Sequence, residues 1–532
     1  MDKKYSLMLY FKHNYPSCLA NPLWGSYSTG HMKTTRCWAL IFIIISYPAI
    51  KAESSVKTED KPNIIFFLSD DHRWDRMGCA GHPFLKTPIL DRLANEGVRF
   101  SNMFVTTSIC AASRATILTG LYERTHQFTF RTRPIDSRFS QASYPVLLRK
   151  SGYKTGFIGK FGVSVQRKDR EAMFDFFQPI GRAPFLKPQP DGSLRHESEL
   201  AGDSAIAFID QHKGRGPFCL SVSFNAAHAE DGDKRPGIGH FPWPKAVDGM
   251  YEDIPIKAPH LSDLKIFESH PDFMKKSMNR IRFFWRWDTP EKYATNLRAY
   301  YRMITGIDNV IGRVTKHLEK AGMADNTIII FSGDNGYYEG QRGFAGKWSH
   351  YEESLRVPLI IYDPRADKKR RGKVAKPMAL NTDIAPTILS YAGVKTPKHY
   401  QGRSLLQIMN GEKTTGWRKD TFCEHLMENS TIPKWEGVRS SRYVYARYFQ
   451  QQPQYEYLHD LQEDPDQLKN LASVPVYRKI LIQMRKRCDS LRDEYGGEYN
   501  PSLVADYIAE QRRKQTENQA KRKALKQKNL QK

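Results

Sequence analysis

Cysteine is scarce, with seven in 532 residues, and two of them, Cys18 and Cys37, fall within the first 52. The other five, Cys79, Cys110, Cys219, Cys423 and Cys488, are odd in number and widely spaced. That excludes a disulfide scaffold and leaves a thiol free for other chemistry. Long apolar runs are also missing: the run around Trp38–Ile45 spans about ten residues against the ~20 that cross a hydrocarbon core, so no stable membrane anchor is expected. Acidic residues are in deficit, 57 Asp and Glu against 82 Lys and Arg, for a formal charge of +25. No nucleic-acid motif accompanies that charge and no internal repeat is visible, so no nucleic-acid partner is expected.

What is present begins with an address. Residues 32–52 place Lys33 and Arg36 before the apolar run, followed by Ser46, Pro48 and small residues ending at Ala52. This is the layout of a cleaved secretory signal, which makes residues 1–31 an over-called start and predicts export to the periplasm or the medium. Residues 511–532 hold nine Lys or Arg against one Glu, and the stretch 507–532 lacks an apolar face, so it reads as a basic tail or frayed helix. A basic exported chain points to polyanionic substrates, with general solubility as the other explanation.

Five apolar runs read as strands buried on both faces: Ile64–Leu68, Thr155–Ile158, Phe218–Phe224, Thr327–Phe331 and Val357–Tyr362. Helical stretches alternate with them. In one, Thr87 can cap, Pro88 fits the first turn, Ile89, Leu90, Leu93 and Ala94 form a stripe, and Gly97 can close. The expected fold is α/β, a large mainly parallel sheet sandwiched by helices over residues 60–410. A smaller α+β domain over 411–506 carries an antiparallel sheet that includes Thr421–His425, Tyr443–Tyr448 and Tyr455–His459.

Ligands of such sheets sit beyond the carboxyl ends of the strands. The polar residues just past the apolar runs are Asp70–Asp71, Lys160, His228 and Asp334–Asn335. Three carboxylates and an amide oxygen suit a hard divalent cation. Cys110-Ala-Ala-Ser-Arg114 opens a helical pattern that ends at Thr119-Gly120, so Cys110 sits at a helix N-terminus, which favours an anion.

The Cys110, Ala112, Arg114, Thr119, Gly120 pattern resembles the signature of the formylglycine-dependent sulfatases, type I sulfatases of the alkaline-phosphatase-like superfamily. The resemblance runs from about Pro62 to Leu471 and includes Asn63–Asp71, Lys86–Gly97, Gly333–Gly336 and Gly346–Pro358. It implies that a maturation enzyme oxidises Cys110 to formylglycine (3-oxoalanine), which is hydrated and held on one Ca2+ beside Asp70, Asp71, Asp334 and Asn335. It implies further that Arg114, Lys160 and Lys347 neutralise the sulfate and that His228 is the general acid. The C-terminal segments Glu436–Arg439 and Tyr455–Leu471 are similar to those of glycan sulfatases, which makes a sulfated carbohydrate the expected substrate.

The pattern is broken at two places. Phe161-Gly162-Val163 follows Lys160 where the family has an aromatic residue and then His, so His350 or solvent would have to take up the proton in the second half-reaction. Ala112 stands where Pro is commoner. Two other readings share the residues: a phosphate or phosphonate ester hydrolase of the same superfamily, and a non-catalytic binder of sulfated glycans. Between His228 and Pro290, Phe241, Trp243, Phe284, Trp285 and Trp287 are interleaved with Arg280, Arg282 and Arg286. They either stack on sugars and pair with sulfates or pack the segment onto the sheet.

Overall fold

The computed structural model describes residues 61–232 and 240–530; the leader and upstream start expected within 1–52 lie outside the described residues. Eight strands form the main sheet: β1 (Asn63–Ser69), β2 (Val98–Phe100), β3 (Lys154–Gly159), β4 (Phe176–Pro179), β5 (Phe218–Ser223), β6 (Thr327–Gly333), β7 (Leu359–Tyr362) and β8 (Lys373–Ala375). Their spatial order is β8-β2-β7-β6-β1-β5-β3-β4. β1 lies between β5 and β6 and is parallel to both, with Ile64 opposite Cys219 and Ile328. β7 is antiparallel to both of its neighbours, so the run ending at Tyr362 is the reversed strand of an otherwise parallel sheet.

Helices α1 (Pro88–Glu96), α2 (Cys110–Thr119), α3 (Glu123–His126), α4 (Glu197–His212), α5 (Met278–Arg286), α6 (Pro290–Lys320) and α7 (Ile384–Tyr391) lie along the connections. Alternate residues of a strand point to opposite faces, and β1 feeds two cores in this way. Ile64, Phe66 and Leu68 meet Leu118 of α2 and Ile384 and Ile388 of α7. Ile65 and Phe67 meet Leu90 of α1, Phe208 of α4 and Ile304 of α6. Each such buried side chain contributes about 1.5–3 kcal/mol, and the double coverage is why these strands read as unbroken apolar runs.

The punctuation of α1 differs from the expectation in its mechanism. Thr87 occupies the N-cap position, but its side chain accepts nothing from the helix; its hydroxyl instead donates to Asp91 at 3.0 Å. The free N–H groups of Ile89 and Leu90 are taken by the Asp308 carboxylate of α6, at 3.1 and 2.8 Å. Gly97 ends the helix with an ordinary negative φ. It is glycine for space, because a β-carbon there would collide with the Ile361 carbonyl.

Beyond residue 410 the chain forms a four-stranded antiparallel sheet, β9 (Asp420–His425), β10 (Trp435–Ser440), β11 (Tyr443–Tyr448) and β12 (Tyr455–Asp460), in that spatial order. Helix α8 (Arg478–Glu494) lays Leu481, Met484, Cys488 and Leu491 on Phe422, Val438, Tyr445 and Leu458. The last described element, α9 (Ser502–Leu530), is helical, and its side chains are mostly exposed as far as they are described. Contacts join this sheet to the residues on either side of α2. Glu424 N donates to Thr106 O at 2.9 Å, and Arg124 of α3 pairs with Glu424 at 2.8 Å and Glu436 at 2.6 Å. Among the described residues no cysteine is paired, and no helix is long and apolar enough to cross a membrane.

Candidate active site

The carboxyl ends of β1, β3, β5 and β6 and the N-terminus of α2 converge. Asp70 and Asp71 follow β1, Asp334 and Asn335 follow β6, and all four are fully buried. Backbone bonds fix the first of them: Asp70 N donates to Ala226 O at 2.9 Å and Ala227 N to Asp70 O at 2.8 Å. Asp71 N donates to Asp334 Oδ1 at 3.2 Å, and Asn335 Nδ2 to Asp71 Oδ1 at 2.6 Å. Cys110 is the first residue of α2. One ligand atom each from Asp70, Cys110 and Asp334 lies within 4.8 Å of the others.

Cations surround this acidic centre. Arg114, one turn into α2, donates Nε to Asp334 Oδ2 at 2.8 Å and Nη1 to the Lys160 carbonyl at 2.6 Å and to Ser223 Oγ. Lys160 bonds Asp70 Oδ2, and Lys347 bonds Asp71 Oδ1. His228 Nε2 lies 3.6 Å from Asp71 Oδ2, and its Nδ1 is 2.6 Å from the Ala229 carbonyl. All nine residues singled out in the sequence therefore share one site.

The electrostatics are those of a tightly balanced cluster. Burial works to raise Asp70, but Lys160, His228, Lys347 and Arg114 outweigh it and hold that carboxyl well below the usual range. Burial, with the Asp70 charge alongside, pushes Asp334 up to about 6 despite Arg114. Burial also raises Asp71. Burial lowers Lys347, yet Asp71, the Cys110 sulfur, Asp70 and Asp334 prevail and keep it charged. His228 is pulled well below its ordinary value by burial, and Arg182, Lys347 and Lys160 reinforce this against Asp70.

Three oxygens in this cluster, Asp70 Oδ1, Asp71 Oδ2 and Asn335 Oδ1, are buried without a hydrogen-bond partner. Buried polar atoms are ordinarily paired. An all-oxygen set with three orphaned acceptors fits a hard divalent cation, and the residue types match those that hold calcium.

Sequence reasoning missed three neighbours. Ser223, which orients Arg114, is the last residue of β5 and could have been found among the polar strand ends. Arg182, whose Nη1 approaches the His228 ring at 2.7 Å, and Asp231, bonded to Arg282 at 3.1 Å and to Arg286, carry no local signal. The proposal of His350 as a substitute base is corrected by its surroundings. Its Nδ1 faces Tyr448 Oη at 3.0 Å and its Nε2 faces His459 Nε2 at 3.2 Å. Both nitrogens are thus occupied in a buried aromatic stack. The aromatic segment divides: Phe241 and Trp287 are core, whereas Phe284 and Trp285 are exposed.

Comparison with known proteins agrees with this geometry. The family model described as Sulfatase matches residues 62–394, and that described as N-sulphoglucosamine sulphohydrolase, C-terminal, matches 340–494. An N-acetylglucosamine-6-O-sulfatase of Bacteroides thetaiotaomicron is 28% identical over 495 residues, 82% of this chain and 87% of the relative. An arylsulfatase of Clostridium perfringens is 27% identical over 474 residues, 80% of this chain and 93% of the relative. A protein solved with its substrate, D-glucosamine-2-N,6-O-disulfate, has a TM-score of 0.71 at 24% identity, covering 82% of this chain and 98% of its own. A phosphonate monoester hydrolase of Agrobacterium radiobacter reaches 0.69 at 23% identity, over 82% and 96%. These two likenesses establish the fold alone. The chain belongs to the sulfatase family and is a sulfuric ester hydrolase.

Proposed function

We propose that this sulfatase removes sulfate from a carbohydrate outside the cytoplasm, using one calcium ion held by Asp70, Asp71, Asp334 and Asn335 and a formylglycine made from Cys110 by a maturation enzyme. The observation that carries the reading is the meeting of Cys110, at the head of α2, with Asp70 and Asp334 and three orphaned oxygens. When bound, calcium supplies concentrated positive charge beside the sulfate, and formylglycine supplies the attacking oxygen in place of a thiol.

The chain's own residues do the rest. Lys160 and Lys347 stand on either side of the carboxylates and neutralise the sulfate oxygens as charge shifts onto them. Arg114 is held rigid by Asp334, Ser223 and the Lys160 carbonyl, so it orients the residue-110 side chain without reorganising. His228 protonates the leaving oxygen. An arriving sulfate ester adds the negative charge that raises its proton affinity.

Support for a carbohydrate substrate comes from the C-terminal match to an N-sulphoglucosamine sulphohydrolase and from the relative named as an N-acetylglucosamine-6-O-sulfatase. The leader over 32–52 supports export. We assign residues 60–410 to the catalytic domain, 411–506 to the small domain and 507–532 to a basic tail.

The test is peptide mass spectrometry of Cys110 in the exported protein, with a calcium-dependent assay on a chromogenic aryl sulfate for wild type and Cys110→Ala. Conversion of the thiol to an aldehyde, with activity lost in the variant, is the expected result. An unmodified, inactive protein from a host that modifies a control sulfatase would sink the reading, and hydrolysis of a phosphonate ester alone would redirect it.

A further inference from the structure

Beside His228, three guanidinium groups gather around a single carboxylate, that of Asp231. Asp231 spends both oxygens on α5: Oδ1 on Arg286 and Oδ2 on Arg282 at 3.1 Å. Arg182, from the loop after β4, reaches Asp231 only at 4.0 Å and touches the His228 ring instead. Among the described residues the Arg182 guanidinium has no carboxylate within hydrogen-bonding distance. Its side chain is 34% exposed, which leaves it open to a ligand. Buried nitrogens are also unpartnered: Arg282 Nε, and Arg286 Nε and Nη1. The Arg282 guanidinium lies 5.0 Å from the ring centre of Trp348, next to Lys347, and 5.8 Å from that of Trp285, whose ring is partly exposed.

We infer that Arg182 and Arg282 form a subsite for a second anionic group on the sugar being desulfated, or on its immediate neighbour. The inference rests on the sulfatase reading above for its location. In that reading the transferred sulfate faces Lys160 and Lys347 and His228 faces the leaving oxygen, so Arg182, in contact with both nitrogens of the His228 ring, stands next to the leaving sugar. Excess positive charge there has nothing to neutralise in the sulfate being removed. It matches a substrate bearing another sulfate or a uronate carboxylate, and Trp285 offers an aromatic face for the ring that carries it.

The experiment uses the full chain in calcium-containing buffer. Calorimetry on Cys110→Ala measures binding of three probes: a monosulfated hexosamine, the same sugar with a second sulfate, and the monosulfated sugar linked to a uronate. Turnover of the same probes by wild type is followed in parallel. Charge-assisted hydrogen bonds predict that one second-anion probe binds at least about tenfold more tightly than the monosulfated sugar, and the probe that gains identifies the anion. Adding Arg182→Gln brings that preference to within about twofold, whereas Arg182→Lys restores part of it; Arg282→Gln is the second variant should Arg182→Gln fail to fold. Equal affinities for all probes, or a preference untouched by both substitutions, overturns the subsite. Preferential binding without any hydrolysis leaves the subsite standing and removes the sulfatase reading. Hydrolysis without preference does the reverse, and absence of both removes both.

Discussion

The α-carbon of Gly162 is packed against Arg114, so that a β-carbon at this position would lie 2.8 Å from Arg114 Cδ. The backbone there has φ +67°, a conformation that L side chains rarely adopt. The departure from the family at Gly162 is therefore matched to the placement of the arginine.

Restoring the family histidine should consequently harm the enzyme. Gly162→Ala and Gly162→His are both expected to displace Arg114, lower kcat at least about tenfold and reduce the melting temperature, since left-handed backbone costs a side chain about 1–2 kcal/mol. Steady-state kinetics and thermal melts on the two variants check this. A Gly162→His protein faster than wild type would show that the site accommodates the ring.

Buried carboxylates with orphaned oxygens should make the fold itself respond to a cation. Calcium at a hundred times its Kd is expected to stabilise by about 2.7 kcal/mol relative to the chelated protein. The effect should shrink in Asp334→Asn, and an identical melting temperature with calcium and with chelator would contradict the assigned ligands.

Acid should destabilise the protein before the exposed carboxylates titrate. Burial holds His126, His196, His270 and His459 down to about 3, whereas an unfolded chain binds the proton near 6.5. The folded values are depressed, so the stability they represent is complete above about 6.5 and is lost as the pH falls towards 3. Each histidine contributes a slope of about 1.4 kcal/mol per pH unit in that window. Denaturant melts between pH 7.5 and 5 should show a falling midpoint, with a shallower fall in His196→Asn; a flat profile would argue against neutral buried imidazoles.

The contact between α3 and the C-terminal sheet should be among the costliest to break. Arg124→Met leaves Glu424 buried without its cation, while Glu436 keeps Arg447, which predicts a loss of about 3–5 kcal/mol. Combining it with Glu424→Gln should recover part of that loss. A shift in unfolding free energy below about 1 kcal/mol would mean the carboxylates find other partners.

The legible part of this protein is the part that repeats or sits at a fixed offset from something that repeats. β1, β5 and β6 are dominated by apolar residues because both faces are covered, so their ends, and with them Asp70, Asp71, Asp334 and Asn335, could be placed by inspection. The three-residue strands β2 and β8 are too short to show a period, and the reversal of β7 depends on where its neighbours lie. Arg182 and Asp231 were invisible for a different reason. Their partners, 46 and 51 or more residues away along the chain, are brought together by loops whose sequences carry no period. The same holds for α1, where the expected cap was local and the actual one, Asp308, comes from more than two hundred residues downstream.

The bond from Glu424 N to Thr106 O, with the bridge between Thr107 and Glu424, also sets a schedule. Thr106 and Thr107 lead directly into Cys110, yet their partner strand is synthesised roughly 300 residues later, on the order of 15–60 s at ~5–20 residues per second. Until then the stretch ahead of the thiol lacks its sheet neighbour. Once the chain has closed, the whole of Cys110–Thr119 is buried. For the maturation of Cys110 proposed above, the nascent chain thus provides an interval in which the thiol is open, and the finished protein brings that interval to an end.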